Sequence, residues 1–245
     1  MQENFPKVRV HLLPVKCDLP QTAKVAVIVD VLRASTTIAS ALSNGAVALI
    51  PCLSIDDARD AASTANALLG GERGGVKVEG FDCGNSPTEY TSELVKSRTI
   101  AFTTTNGTKA LHKSLKADTI LVGSFVNLSA IVAACQSHNA DVDIVCAGTD
   151  GSVSGEDVLF AGMLAQRLIG TDQFAMGNDS AVIAIDFSIA NTENSSHLLD
   201  AIRASQGGRN LIALGYDADI EFAANVDRFS IVPTYCPQSG SIKPG

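Results

Sequence analysis

Short apolar runs alternate along the chain with polar turns and helix-period segments. The clearest run is Val25 to Val29, five small or β-branched residues without interruption. Such a run predicts a strand buried on both faces. It gives way to Asp30, Arg33, Ser35, Thr36 and Thr37, then to a helical apolar spacing through Ile38, Ala41 and Leu42. Strand, polar turn and helix make the first half of a βαβ unit. The design recurs. Thr99 to Phe102 runs into Thr103 to Thr108 and a helix through Ala110, Leu111 and Leu115. Thr119 to Val122 runs into Gly123 to Asn127 and a helix from Leu128 to Cys135. Asp143 to Ala147 runs into Gly148 to Asp157 and a helix from Val158 to Leu168. The pattern predicts an α/β fold, a mostly parallel sheet layered with helices, whose turns gather on one edge.

Between these units the pattern predicts smaller pieces. Lys7 to Leu12 reads as a strand, and Pro14 and Pro20 bracket a loop. Asn44-Gly45 is a helix stop, and Ala46 to Ile50 is a strand. Ser54 caps a helix with Asp56 and Asp57 in its first turn. That helix is expected to run to Leu69 and stop at Gly70-Gly71. Gly71 to Tyr90 has no useful period and reads as a long functional loop, with Ser86-Pro87 opening a helix. Gly170 to Asp179 reads as a connector, followed by helices over Ser180 to Ala190 and, capped by Ser195, over Ser195 to Ala204. Gly207-Gly-Arg-Asn leads into a short apolar stretch ending at Leu214-Gly215. Asp217 caps a helix to Val226, Phe229 to Val232 is a candidate strand, and residues after Pro237 read as a loose tail. Residues 1–245 are taken as one domain. A division into two similar α/β halves, about 1–170 and 171–245, is compatible with the pattern, though no sequence repeat requires it.

Composition narrows the function. The net charge of -8 argues against nucleic acid, which needs a basic stripe. No apolar run is long enough to span a bilayer, and Met1 to Lys7 lacks a signal-peptide core, so a cytoplasmic protein is expected. The Ala-rich helix faces suit a core or a homo-oligomer interface. Six cysteines (Cys17, Cys52, Cys83, Cys135, Cys146, Cys236) form no C-x-x-C pair and read as buried thiols. The scattered His11, His112, His138 and His197 make a zinc site improbable.

The chemistry-bearing residues sit in the turns. Asp30, Glu72, Asp82, Glu156 and Asp157 are carboxylates suited to a hard cation such as Mg²⁺, which needs one or two of them plus substrate phosphate. Acids in a helix first turn are routine, which weakens Glu156 and Asp157; Asp30 ends a buried strand and needs a partner. Arg33, Arg73 and Arg209 are candidate anion grips. Thr104, Thr105, Asn106, Gly107, Thr108, Ser124 and Asn127 offer hydroxyls, amides and helix N-termini. Ser35, Thr36 and Asn85 stand beside them. No P-loop is present, because Phe102 replaces its first Gly before Gly107-Thr-Lys109. No G-x-S-x-G elbow and no G-x-G-x-x-G after a strand occur either.

An ordered set of blocks carries a family resemblance. They are Asp-Val-Leu-Arg-Ala-Ser-Thr-Thr (30–37), Gly-Glu-Arg-Gly (71–74), Gly-Phe-Asp-Cys-Gly-Asn-Ser-Pro (80–87), Thr-Thr-Asn-Gly-Thr (104–108), Gly-Ser-Phe-Val-Asn (123–127), Cys-Ala-Gly (146–148) and Gly-Glu-Asp (155–157). Ser205-Gln-Gly-Gly-Arg-Asn-Leu211, Leu214-Gly215 and Asp219-Ile220 complete it. Together they resemble the 2-phosphosulfolactate phosphatase (ComB) family, nearly from Val25 to Pro233. The resemblance implies an α/β fold and Mg²⁺-dependent hydrolysis of 2-phosphosulfolactate to 3-sulfolactate and phosphate, a step of coenzyme M biosynthesis in methanogens. The expected partner is thus a small anionic phosphorylated substrate. Attack by water is the expected mechanism, with Asp30 as ligand or base, and Arg33 and Arg73 on phosphate and sulfonate. A phosphoenzyme at Asp30, Ser35 or Cys83 is the rival. A phosphatase for another 2-phospho-hydroxy acid and a non-catalytic anion-binding protein are the competing functions.

Overall fold

The computed structural model describes residues 5–16, 19, 23–192 and 195–245. Cys17, Pro20 and the side chain of Ser195 lie outside the described residues.

The elements follow the sequence pattern through most of the chain. They are β1 (Lys7–His11), β2 (Val25–Val29), α1 (Ala34–Ser43), β3 (Ala48–Cys52), α2 (Ile55–Ala65), β4 (Leu68–Arg73), β5 (Val76–Lys77), α3 (Ser92–Val95), β6 (Thr99–Thr103), α4 (Gly107–Lys113), β7 (Thr119–Gly123), α5 (Leu128–His138), β8 (Val142–Cys146), α6 (Gly155–Ile169), β9 (Ala175–Met176), α7 (Asp179–Asn191), α8 (Ser195–Ala204), α9 (Gln206–Ala213), α10 (Asp217–Ala223), β10 (Pro233–Cys236) and β11 (Ser241–Pro244). The fold is α/β. One eleven-stranded sheet runs in the order β5-β4-β6-β3-β11-β10-β7-β2-β8-β1-β9.

The sheet contains two parallel blocks. β7, β2, β8, β1 and β9 pair in parallel, as do β3, β6 and β4. The antiparallel hairpin β10–β11 lies between them, joining β7 to β3. Three antiparallel pairings in succession set the blocks in opposite senses. A single edge for all turns, as an all-parallel sheet would give, is therefore not what forms. Twist compensates: at about 20–25° per strand, the five steps from β2 to β6 accumulate roughly 100–125°. Opposed strands become steeply crossed, and carboxyl ends from both blocks face one cleft.

Burial explains the strand pattern. All five residues of β2 and all five of β8 are buried, in line with their continuous apolar runs. At about 1.5–3 kcal/mol per fully buried aliphatic side chain, β2 alone contributes on the order of 10 kcal/mol before entropy is subtracted. The largest core cluster packs β1, β2, β7 and β8 against α5 and α6, with Phe125 edge-on to Phe160 at 5.5 Å.

Several stretches depart from the sequence reading. The helix α2, closed at its start by a Ser54–Asp57 capping box, ends at Ala65 rather than Leu69, because Asn66 turns left-handed at φ 49°. Gly70 and Gly71 then lie within β4 and are not a helix stop. Gly71 takes φ 138°, and a Cβ there would overlap the backbone of Thr103 on β6. The expected loop thus begins as a strand, and Pro87 opens only a single 3₁₀ turn, Pro87–Glu89. Gly207 and Gly208 are inside α9, whose N-cap Ser205 accepts a hydrogen bond from the Gly208 amide at 3.0 Å. The helix α10 is N-capped by Tyr216, and Asp217 instead pairs with Arg203 at 2.9 Å. Finally, Phe229 to Val232 is not a strand, and the expected tail forms β11 inside the sheet, with Ser241 and Ile242 both 3% exposed.

Candidate active site

A cleft of about 350 Å³ opens where the two blocks meet. Asp30, Leu32 and Arg33 follow β2, and Thr149 and Asp150 follow β8. Glu72, Gly74 and Gly75 come from β4 and its turn, Thr105 and Asn106 from the turn after β6, and Asn85 from the following loop. The helix α9 covers one side with Gly207, Asn210, Leu211 and Leu214.

Asp30 stands at the centre. It follows the last residue of a fully buried strand and is itself 7% exposed. Its Oδ1 accepts the Ala34 amide at 3.2 Å, and its own amide donates to Ser35 Oγ at 2.9 Å. Burial pushes its carboxyl up to about 7, opposed by the Ala34 amide; Glu72 and Glu156 push it further up, and Arg33 holds it back. Backbone approach is close here, since a Cβ on Gly107 would come 2.9 Å from Asp30 Oδ2.

The other predicted carboxylates divide by what they already bind. Glu72 accepts the Thr105 amide at 2.8 Å on one oxygen and the Gly75 amide at 2.7 Å on the other. Asp157 accepts the amides of Val31 at 2.9 Å and Gly148 at 3.0 Å. Burial, then Glu156 and Asp30, push the Asp157 carboxyl well above the usual carboxylate range. Glu156, 1% exposed, takes the Ser154 hydroxyl on Oε1 at 2.7 Å, while its buried Oε2 has no partner. Asp82 is exposed, accepts the Leu69 amide at 2.8 Å, and does not line the cleft. Among the buried predicted carboxylates, Asp30 and Glu156 have an oxygen to spare, though Glu156 does not line the cleft.

The three arginines also part company. Arg33 lines the cleft but is 4% exposed and already engaged. It donates to Asp219 Oδ2 at 2.7 Å and to the Gly75 carbonyl at 2.6 Å, and stacks 4.4 Å above the Tyr216 ring. Arg73 points away from the cleft. Neighbours on a strand face opposite sides, so with Glu72 directed inward Arg73 turns to the Glu72 carbonyl, the Leu53 carbonyl and Thr103 Oγ1. Arg209 lies on the exposed side of α9, bonded to the Ala204 carbonyl.

Several candidate anion binders are structural. Thr36 Oγ1 donates to the Val31 carbonyl and meets Ser124 Oγ, each at 2.7 Å. Asn127 is fully buried, accepting the Ser124 amide and donating to the carbonyls of Val122 and Ile231. Ser35 holds the Asp30 turn, and Thr108 Oγ1 donates to the Thr104 carbonyl at 3.1 Å. Neither lines the cleft, and nor does Gly107. Thr105, Asn106 and Asn85 do, and Asn85 Oδ1 is buried without a partner. Cys83 is buried outside the cleft, its thiol pushed up to about 11 by burial and then by Glu89 and Asp82. Cys52, Cys83, Cys135 and Cys146 are buried and unpaired, and Cys236 is half-buried.

Sequence reasoning missed Asp219, Tyr216, Thr149, Asp150 and Asn210 as cleft or supporting residues. Asp219 lay within a recognised block, yet nothing local marks an acid in a helix first turn as the partner of an arginine 186 positions away.

No three His, Cys, Asp or Glu side chains among the described residues form a preformed metal cage. The donor set nonetheless fits a hard cation. Asn85 Oδ1 and Glu156 Oε2 are buried acceptors lacking a donor, and Asp30 has a spare oxygen nearby. Mg²⁺ needs no more than one or two carboxylates, since it keeps waters and takes substrate oxygens.

Fold and cleft together define an α/β enzyme with an acid-lined site at strand carboxyl ends, the place where such sheets bind ligands. Residues 11–238 match the family model described as 2-phosphosulpholactate phosphatase. A protein from Caldanaerobacter subterraneus subsp. tengcongensis is 41% identical over 86% of this chain and 87% of its own length. One from Symbiobacterium thermophilum is 39% identical over 86% and 91%, and one from Thermotoga maritima 40% over 87% and 90%. Each is named a probable 2-phosphosulfolactate phosphatase. The chain belongs to the 2-phosphosulpholactate phosphatase family, a family of phosphoric monoester hydrolases. No helix among the described residues is long and apolar enough to cross a membrane.

Proposed function

We propose that this chain hydrolyses 2-phosphosulfolactate to 3-sulfolactate and phosphate with Mg²⁺ as cofactor. The observation that carries the reading is the charge of the cleft. Asp30, Glu72 and Asp150 line it, whereas Arg33, the one arginine among its described lining residues, is already paired with Asp219. A polyanionic substrate is repelled by such a site until a divalent cation compensates. Asp30 would hold that ion or act as base, with Asn85 Oδ1 as a neutral donor; Glu156 does not line the cleft and bears on it through the charge of Asp30. When bound, Mg²⁺ supplies neutralisation of the phosphate charge.

The chain's own groups supply the rest. As base, Asp30, whose carboxyl is raised to about 7 in the metal-free chain, would accept the proton of an attacking water near neutral pH. Water oxygen bonds to phosphorus as its proton passes to Asp30, the ester P–O bond breaks, and the sulfolactate alkoxide leaves with a proton taken from solvent water. Arg33, fixed by Asp219 and the Gly75 carbonyl, lines the cleft and would add a fixed positive charge on the substrate phosphate. Thr105 and Asn106 orient the substrate from the facing block.

A second reading is favoured by one observation: Arg73, expected with Arg33 on phosphate and sulfonate, does not line the cleft, and neither does the candidate anion grip Arg209. A phosphatase for an unsulfonated 2-phospho-hydroxy acid needs neither. The test is phosphate release from 2-phosphosulfolactate, with Mg²⁺ and then with EDTA, beside phospholactate and phosphoglycolate. Metal-dependent turnover that favours the sulfonated compound supports the first reading. Equal turnover of the unsulfonated acids supports the second, and no release from any of them overturns both.

A further inference from the structure

Behind Asp30, on the side away from the cleft, is a second and smaller cavity. Its volume is about 20 Å³, room for one water. Ile28, Ile38, Phe102, Leu111, Val122 and Ile242 give it mostly apolar walls. The polar residues that reach it are Asp30, Ser35, Thr104 and Thr108.

Two of these four have their donor already committed, though each hydroxyl oxygen can still accept. Ser35 Oγ accepts the Asp30 amide and sits 3.5 Å from the Ile28 carbonyl, and Thr108 Oγ1 donates to the Thr104 carbonyl. Thr104 is different. It is 3% exposed, and its Oγ1 is buried without any partner. A hydroxyl stranded in this way costs about 1–3 kcal/mol unless something bonds it. Thr104 Oγ1 and Asp30 Oδ2 also share a location: they lie 3.3 Å and 2.9 Å from the point a Cβ on Gly107 would occupy. One water in the cavity can reach both oxygens.

We propose that this cavity holds an internal water bridging Thr104 Oγ1 to Asp30 Oδ2, and that Thr104 is a positioning residue for Asp30. Thr104 touches no substrate, because it does not line the cleft. It acts through the water, which fixes the rotation of the Asp30 carboxylate from behind while Oδ1 is fixed by the Ala34 amide. The glycine at 107 keeps the route open. The importance of this water for turnover rests on the proposed role of Asp30; its presence does not.

The experiment combines a crystal structure of the full chain with kinetics of Thr104→Val and Thr104→Ser. Valine matches the shape and removes the hydroxyl; serine keeps the hydroxyl. The wild-type density should show one peak within hydrogen-bond distance of Thr104 Oγ1 and Asp30 Oδ2, absent in Thr104→Val. With 2-phosphosulfolactate and Mg²⁺, Thr104→Val should lose about tenfold in kcat with KM within twofold, as expected for a carboxylate left free to rotate. Thr104→Ser should recover most of that loss. A dry cavity in the wild type overturns the proposal, as does an unchanged kcat in Thr104→Val or a serine variant as slow as the valine one. If the wild-type protein turns over no phosphate ester, the density alone decides.

Discussion

Arg33 and Asp219 form an ion pair of 2.7 Å with both side chains 3% exposed, joining the turn after β2 to α10. Asp219 Oδ1 also accepts the Ser86 hydroxyl at 2.6 Å, so one carboxylate ties three segments around the cleft. A buried pair is worth little beyond apolar packing, but breaking one partner strands the other. Asp219→Ala should therefore cost about 3–5 kcal/mol, read from urea denaturation. A loss under about 1 kcal/mol would mean that solvent reaches Arg33 and that the pair does not organise the cleft.

Asp30 predicts a pH dependence opposite to that of a salt-bridged acid. Its carboxyl goes from an ordinary 3.8 to about 7 on folding. Between those values the folded chain binds more protons than the unfolded one, so stability falls as pH rises. The contribution is fully present below about 4 and lost above 7; three units at 1.36 kcal/mol each put its ceiling at about 4 kcal/mol. Asp30→Asn removes the charge and keeps an acceptor for the Ala34 amide. In EDTA this variant should be more stable than the wild type at pH 8, by about 1–3 kcal/mol, and equal to it near pH 4. It should release no phosphate. Denaturation curves at both pH values check the crossing, and a less stable variant at pH 8 would contradict the buried charge.

What the sequence made legible follows from how each signal arises. Val25 to Val29 announces a buried strand because both faces are covered, and Asp30 stands out because it ends that run. The role of Ser54 is equally local, a cap and its box within four residues. Arg73 was not legible, because its direction depends on strand alternation that begins only once Asn66 has ended the helix. Ser124 and Asn127 resemble ligand-binding groups, yet a hydroxyl satisfied by Thr36 and an amide satisfied by Val122 and Ile231 are tertiary facts. β11 was the least legible. Ser-Ile-Lys-Pro has one apolar residue, and its place in the sheet is set by β10 and β3.

That last element gives a sharp test. If residues after Pro237 were a tail, Ile242→Ala would change stability by less than about 0.5 kcal/mol. Ile242 is instead 3% exposed and registers with Leu49 of β3. The substitution should cost about 2–4 kcal/mol, measured by urea denaturation at a pH where the wild type unfolds in one transition.

Arg209 should be dispensable in kinetics. Arg209→Ala removes an exposed side chain whose bond to the Ala204 carbonyl is local to α8 and α9. Its kcat/KM should stay within about twofold of wild type. A larger fall would show that Arg209 swings into the cleft when substrate is present.

Gly207 and Gly208 are neighbours on α9, and the same substitution should act on them differently. Within a helix Gly→Ala gains up to about 0.5–1 kcal/mol from propensity, less in the first turn where these two lie. At Gly208 a Cβ would overlap the carbonyl of Ile202 and lie 2.7 Å from that of Arg203, rigid backbone of α8 that cannot yield. Gly208→Ala should lose stability, with α9 displaced. At Gly207 the Cβ would overlap only the Glu156 carboxylate, the far end of a flexible side chain. Glu156 can rotate away only by giving up its bond to Ser154, which offsets the helix gain, so Gly207→Ala should unfold near the wild-type midpoint and well above Gly208→Ala. The rotation moves a carboxylate that bonds Ser154 and bears on the charge of Asp30, so phosphate release should fall by tenfold or more. Thermal unfolding and kcat measured on both variants check the pair. Equal activity in Gly207→Ala and wild type would remove Glu156 from the working site, whatever happens at Gly208.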